Sequence, residues 1–179
     1  MSTHTAALVI DVQTSLVEGA YNSSAVLAAI KNVVAKVRAA GGVVVYIQHC
    51  HASFEPMRKG NPGWALHSEL DTQADDVYIE KLASDAFYKT TLQSELNRLG
   101  VNHVVAMGLQ TEYCVDTTCR TALNLDYDVT LIEDGHTTAN AVVDAPTIIK
   151  HHNLTLGYLA HPERNIHVVD SNTFDCGAA

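Results

Sequence analysis

No stretch of this chain stays apolar for the roughly 20 residues that a membrane-spanning helix needs, so no membrane partner is expected. The opening Met1-Ser2-Thr3-His4-Thr5 lacks a charged region followed by a signal-like apolar run, and the expected location is the cytoplasm. Basic residues are scarce: 11 Lys and Arg stand against 20 Asp and Glu, for a formal net charge of −9. Without a basic patch to release counterions, a nucleic-acid partner is excluded. Cysteine is sparse too. Cys50, Cys114, Cys119 and Cys176 show no paired metal-finger spacing, which suits reduced thiols. Neither a Walker-type phosphate loop nor a Gly-x-Gly-x-x-Gly fingerprint is present. Internal repeats, low-complexity tracts and linkers are also missing, so residues 1–179 are expected to form a single domain.

What is present is a core and an alternating pattern. Hydrophobic residues make up 47% and charged ones 17%, which excludes disorder and is enough to fill a core at this length. Ala6-Ala7-Leu8-Val9-Ile10 is continuously apolar, the mark of a strand covered on both faces. Ser23 or Ser24 is placed to cap a helix that runs through Ala40, with Val26, Ile30, Val33, Val34 and Val37 on one face. Further strands are predicted at 43–47, 77–79, 103–107, 128–132 and 166–169. Helices are predicted from a Thr90 cap to Leu99, from Tyr113 to Tyr127, and from Pro146 to about Tyr158. Strand and helix alternate throughout, so the class is α/β with a mainly parallel sheet.

Three side chains fall at the carboxyl ends of different strands, the edge where open α/β sheets bind ligands. Asp11 closes the first apolar run, Lys81 follows the short strand at 77–79, and Cys114 lies where the strand at 103–107 gives way to a helix. Free cysteine is most often a small buried apolar residue, and Asp and Lys often only cap turns or face solvent. Together, however, a carboxylate, an ammonium and a thiol make chemical sense. The carboxylate can take the thiol proton and return it to a leaving amine. The ammonium and the helix N-terminus would lower the thiol pKa and favour the nucleophilic thiolate.

Residues 52–76 form a long connection after a strand end, and Trp64 and His67 within it make it a plausible pocket wall. His49, His51 and His67 are a possible zinc set, but no carboxylate accompanies them at short spacing. A structural or substrate-contacting role is favoured, with no metal or other cofactor expected.

The stretches Ala7-Leu8-Val9-Ile10-Asp11-Val12-Gln13, Lys81 with Ala86-Phe87 and Thr91-Leu92, and Gly108-Leu109-Gln110-Thr111-Glu112-Tyr113-Cys114-Val115 resemble the isochorismatase-like cysteine hydrolases. That superfamily includes nicotinamidases and N-carbamoylsarcosine amidase, and the resemblance extends over roughly residues 6 to 169, with Thr118, Ala122 and Tyr127-Asp128-Val129 continuing it. It implies a three-layer αβα, Rossmann-like fold with six strands in the order 3-2-1-4-5-6. It further implies a catalytic triad of Asp11, Lys81 and Cys114, an oxyanion hole from the backbone amides of Gln110 and Cys114, and a cis peptide at Leu109–Gln110. Expected substrate-binding residues are Gln13, Leu16, His49, Trp64, Phe87 and Tyr113, with Gly63-Trp64 as part of a lid. A homodimer or homotetramer acting on a small molecule is the implied assembly. Metal-binding nicotinamidases use an Asp-x-His pair where this chain has His49-Cys50-His51, which counts against nicotinamidase activity and bound zinc.

The expected reaction is cleavage of a C–N bond in a small amide or carbamoyl compound through a Cys114 thioester. Two alternatives stand beside it: vinyl-ether cleavage of isochorismate, which needs an acid such as Asp11 but no thiol, and a non-enzymatic module that holds an anion at the helix N-terminus.

Overall fold

The strand Thr5–Ile10 (β1) is buried at every position, so both its faces meet protein. Alternate side chains serve opposite layers, as the pleat requires. Ala6, Leu8 and Ile10 enter one core, while Ala7 and Val9 enter the other. The computed structural model describes residues 4–176. After β1 come a short helix Thr14–Val17 (α1), the helix Ser23–Ala39 (α2) and the strand Val43–His49 (β2). The rest is Val77–Lys81 (β3), Leu92–Arg98 (α3), His103–Leu109 (β4), Asp116–Asn124 (α4), Asp128–Thr137 (β5), Ala145–Gly157 (α5) and Ile166–Val169 (β6).

All six strands run parallel in the order β3-β2-β1-β4-β5-β6, as expected. Val26, Ile30, Val33 and Val37 of α2 cover one face. Leu92 and Leu96 of α3, Cys119 and Leu123 of α4 and Leu156 of α5 cover the other. The result is a three-layer αβα arrangement. Among the described residues, no helix is long and apolar enough to cross a membrane.

Several boundaries differ from expectation for local reasons. The expected helix at 113–127 is two pieces: a π-helical turn at Thr111–Val115 leads into α4, which stops where Asp126 takes a left-handed φ of 65°. The Ser23/Ser24 cap is not made; Asn22 precedes α2 with left-handed dihedrals and no side-chain cap. Thr90 does not cap α3, although its hydroxyl accepts the Leu92 N–H and donates to the Ala86 carbonyl. Asp144 caps α5 by accepting from the Thr147 N–H, which puts Pro146 inside the first turn where a missing N–H is harmless. Strand β5 continues past Ile132: its pairing jumps from Ala106↔Leu131 to Gly108↔His136, so Glu133 and Asp134 bulge outward and His136 and Thr137 rejoin the sheet. The connection 52–76 holds two short 3-10 turns, Glu55–Met57 and Pro62–Trp64.

Gly108 sets how closely β4 can approach β1. It pairs with Ile10 and has φ of +129°, a conformation that side chains rarely adopt. A Cβ there would overlap the Ile10 carbonyl oxygen. The residues that follow Gly108 and Ile10, the Gln110 turn and Asp11, are thereby drawn together. Gly108→Ala is expected to destabilise the protein by about 3 kcal/mol or more, a sum of backbone strain and steric overlap. A urea midpoint unchanged from the parent protein would contradict this.

Candidate active site

Asp11, Lys81 and Cys114 come together at the carboxyl edge because of the strand order. Asp11 follows β1, Lys81 ends β3, and Cys114 sits in the π-helical turn after β4. Asp11 has φ of 50°, which Asp tolerates better than most residues, and its N–H still bonds the Ile47 carbonyl of β2. The Leu109–Gln110 peptide is cis, where the resemblance put it.

The centre of the site is the Lys81 ammonium. It lies 2.7 Å from Asp11 Oδ2, 3.0 Å from His49 Nδ1, 3.1 Å from Cys114 Sγ and 3.1 Å from the Ala83 carbonyl oxygen. Both side chains of the Lys81–Asp11 pair are fully buried. Cys114 Sγ is 3.8 Å from His49 Nδ1, and Asp11 Oδ2 is 3.9 Å from the same nitrogen. The Asp11 oxygens have no hydrogen-bond donor in good alignment, so the contact with Lys81 is essentially that of an ion pair.

Burial governs the protonation states. It raises the Asp11 carboxyl above the usual carboxylate range, and the nearby Lys81 charge opposes the rise. Burial, seconded by the Asp11 charge, pushes the Cys114 thiol up to about 12 despite Lys81. This corrects the expectation of a depressed thiol pKa: the helix end and the ammonium are outweighed by desolvation and by a carboxylate already paired with that ammonium. The thiol rests protonated. His49 is lowered to about 4 by burial first and then by Lys81 and His51, so its imidazole is neutral.

A cavity of about 490 Å³ opens above these groups. Asp11, His49, Gln110 and Cys114 form its floor, with Leu16 and Tyr113 of the expected substrate-binding residues on its walls. Gln13, Trp64 and Phe87 are not among the lining residues. Gln13 is fully buried and acts as a clamp: its Oε1 accepts the His49 N–H at 2.9 Å, and its Nε2 donates to the His49 and Trp64 carbonyls. Trp64 turns its indole N–H to Cys50 Sγ at 3.2 Å. Phe87 stacks on Tyr127 in the core.

Other wall residues escaped sequence reasoning: Ser15, Gly19, Phe54, Met57, Ser84 and Ala139. Ser15 lies in α1, Met57 ends a 3-10 turn and the other four stand on loops, without a motif or periodicity to single them out. A second missed feature supports the Gln110 turn. Asn153 Nδ2 donates to the Glu133 carbonyl, leaving its Oδ1 to accept from His136 Nε2 at 2.7 Å. His136 Nδ1 must then accept, and it takes the Thr111 hydroxyl proton at 2.9 Å. Burial holds His136 at about 4, which keeps this chain of bonds in one direction.

The three histidines do not form a metal set. His67 stands apart, and among the described residues the convergent ligand atoms are those of Asp11, His49 and Cys114. A divalent ion does not fit among them, because Lys81 Nζ already sits within 2.7, 3.0 and 3.1 Å of all three.

Removing one member of a buried ion pair strands the other charge. Lys81→Met is expected to cost about 3–5 kcal/mol, and adding Asp11→Asn should recover much of that loss. Urea unfolding of the single and double variants reads this directly; a single variant as stable as the parent would contradict the pairing.

The comparisons with known proteins agree with this geometry. A family model described as the isochorismatase domain matches residues 5–155. Streptothricin hydrolase from Streptomyces noursei is 35% identical over 136 residues, covering 74% of this chain and 49% of that protein. Ureidoacrylate amidohydrolase RutB from Variovorax paradoxus (strain S110) is 30% identical over 93 residues, covering 51% of this chain and 37% of that one. The chain thus spans about half the length, or less, of these relatives. A crystal structure of an isochorismatase family protein superposes with a TM-score of 0.80 at 30% identity, covering 90% of this chain and 96% of that one. With most of its length matched by the domain, the chain belongs to the isochorismatase family.

Proposed function

We propose that the chain is a cysteine amidohydrolase that cleaves a C–N bond of a small amide or carbamoyl substrate, with Asp11, Lys81 and Cys114 as its triad. The observation that carries this reading is the Lys81 ammonium, 2.7 Å from the Asp11 carboxylate and 3.1 Å from the Cys114 sulfur on the floor of a cavity. The names of the two relatives, a hydrolase and an amidohydrolase, support the same class.

The chemistry starts from a neutral thiol. Burial and the Asp11 charge push the thiol up to about 12, so proton loss accompanies attack. Asp11, made more basic by its burial, takes that proton as Sγ bonds to the substrate carbonyl carbon. Lys81 stays charged throughout and holds carboxylate and sulfur in register. The N–H groups of Gln110 and Cys114 receive the oxyanion. Asp11 then returns its proton to the departing nitrogen, and the C–N bond breaks to leave a Cys114 thioester. Water attacks the thioester while Asp11 accepts its proton, and collapse of the adduct releases the acid and restores the thiol.

Ammonia release from a panel of small amides and carbamoyl compounds tests this. Cys114→Ser and Asp11→Asn are each expected to lower kcat about 100- to 10,000-fold, with the circular dichroism spectrum unchanged in Cys114→Ser. Ammonia release that survives in Cys114→Ser, or pyruvate release from isochorismate by that variant, would overturn the thioester mechanism.

A further inference from the structure

The cavity above Cys114 has an unusual electrical character. Lys and Arg are absent from its lining residues, and Asp11, the one acid among them, is fully buried and paired with Lys81. Lys81 contributes no free cation, since it is 1% exposed and its ammonium is surrounded by four acceptors on the protein.

Two imidazoles stand where a charged anchor would otherwise be. His49 and His51 stack at 5.6 Å with an interplanar angle of 21°. Their protonation is set by what faces Nδ1. For His49 it is the Lys81 ammonium, which can only donate, so Nδ1 accepts and Nε2 carries the proton. For His51 it is the backbone N–H groups of Phe54 and Ser53, at 3.1 and 3.3 Å, with the same consequence. Both rings therefore present Nε2–H as a donor. Among the described residues, neither Nε2 has a hydrogen-bond acceptor, and both histidines line the cavity. Around them the walls are apolar: Leu16, Phe54, Met57 and Tyr113.

From this arrangement we infer that the site admits amides whose recognised end is uncharged, with a carbonyl-type oxygen accepting from His49 and His51, and that it discriminates against substrates carrying a carboxylate. Such an anion would leave water for a wall with no lysine or arginine to receive it. A neutral oxygen meets two ready donors and loses little on desolvation. Recognition then rests on hydrogen bonding and apolar contact. The inference deepens the amidohydrolase reading and rests on it for the identity of the site.

Its test needs no turnover, so the two readings fail separately. Iodoacetamide and iodoacetate differ in little but charge. Their alkylation rates at pH 9 are measured at Cys114 and, in the same sample, at the half-buried Cys176, with each site resolved by peptide mass spectrometry. Cys176 experiences the same overall net charge and serves as the internal reference. The iodoacetamide-to-iodoacetate ratio at Cys114 is expected to exceed that at Cys176 at least tenfold. Leu16→Arg, which adds a guanidinium to the wall, should cut that preference at least fivefold, and His51→Phe should slow iodoacetamide alone. A ratio at Cys114 equal to or below that at Cys176 would overturn the inference, as would a Cys114 inert to both reagents. Selectivity without ammonia release from any amide would leave the charge preference standing and remove only the hydrolytic reading.

Discussion

A lysine ammonium buried without water must be surrounded by acceptors, and much of this structure is organised to provide them. Lys81 ends β3, while Asp11 leaves β1, and β2 lies between them. Neighbouring strands are about 4.8 Å apart, so the Lys81 stem, the 2.7 Å ion-pair contact and the Asp11 side chain together bridge roughly two such spacings. His49, paired with Lys81 across the β2–β3 ladder, offers Nδ1 on the way. The Ala83 carbonyl and the Cys114 sulfur complete the shell. Gln13 in turn grips both backbone polar groups of His49, so the ring that meets the ammonium is fixed from behind. Disturbing any of these contacts leaves a buried polar group without compensation.

The same enclosure decides the resting chemistry. In an open site the ammonium and the helix start would favour a thiolate, as a reading of the strand–helix junction suggests. In this site the positive charge is matched by Asp11 and the sulfur is buried, so the Cys114 thiol is pushed up and keeps its proton. The Nε2–H donors on the wall follow from the same ammonium and from the loop at Ser53 and Phe54. One buried cation thus ties together a protonated thiol, a buried carboxylate and a cavity lined by no lysine or arginine.

Much of this was legible in the sequence because it lies in covalent order. A continuous apolar run reads as a strand buried on both faces, and β1 is buried at all its residues. Asp11, Lys81 and Cys114 each follow or end such a run, so their meeting depends only on strand order. The remainder depends on side-chain direction, which spacing does not carry. Phe87 sits beside a motif yet packs on Tyr127, because the loop before α3 is tied to α4 by the Ala86 N–H on Thr118 and by the Thr121 hydroxyl on Asp85. Trp64 shares its loop with wall residues but aims its indole at Cys50. His136 lies beyond the strand predicted at 128–132, and the bulge in β5 brings it to the Thr111 hydroxyl. His51 entered as a possible metal ligand; the two backbone amides on its Nδ1, invisible in the sequence, make it a donor instead.

The central claim is that Lys81 and Asp11 form a buried ion pair beside a thiol that keeps its proton. The most direct measurement is the infrared S–H stretch of Cys114 at pH 8, isolated by subtracting the spectrum of Cys114→Ser so that the other three cysteines cancel. The account requires an S–H band in the difference spectrum, retained well above neutral pH because the thiol sits at about 12. A missing band at pH 8 would mean that the sulfur is already a thiolate, and the carboxylate would then have no proton to take.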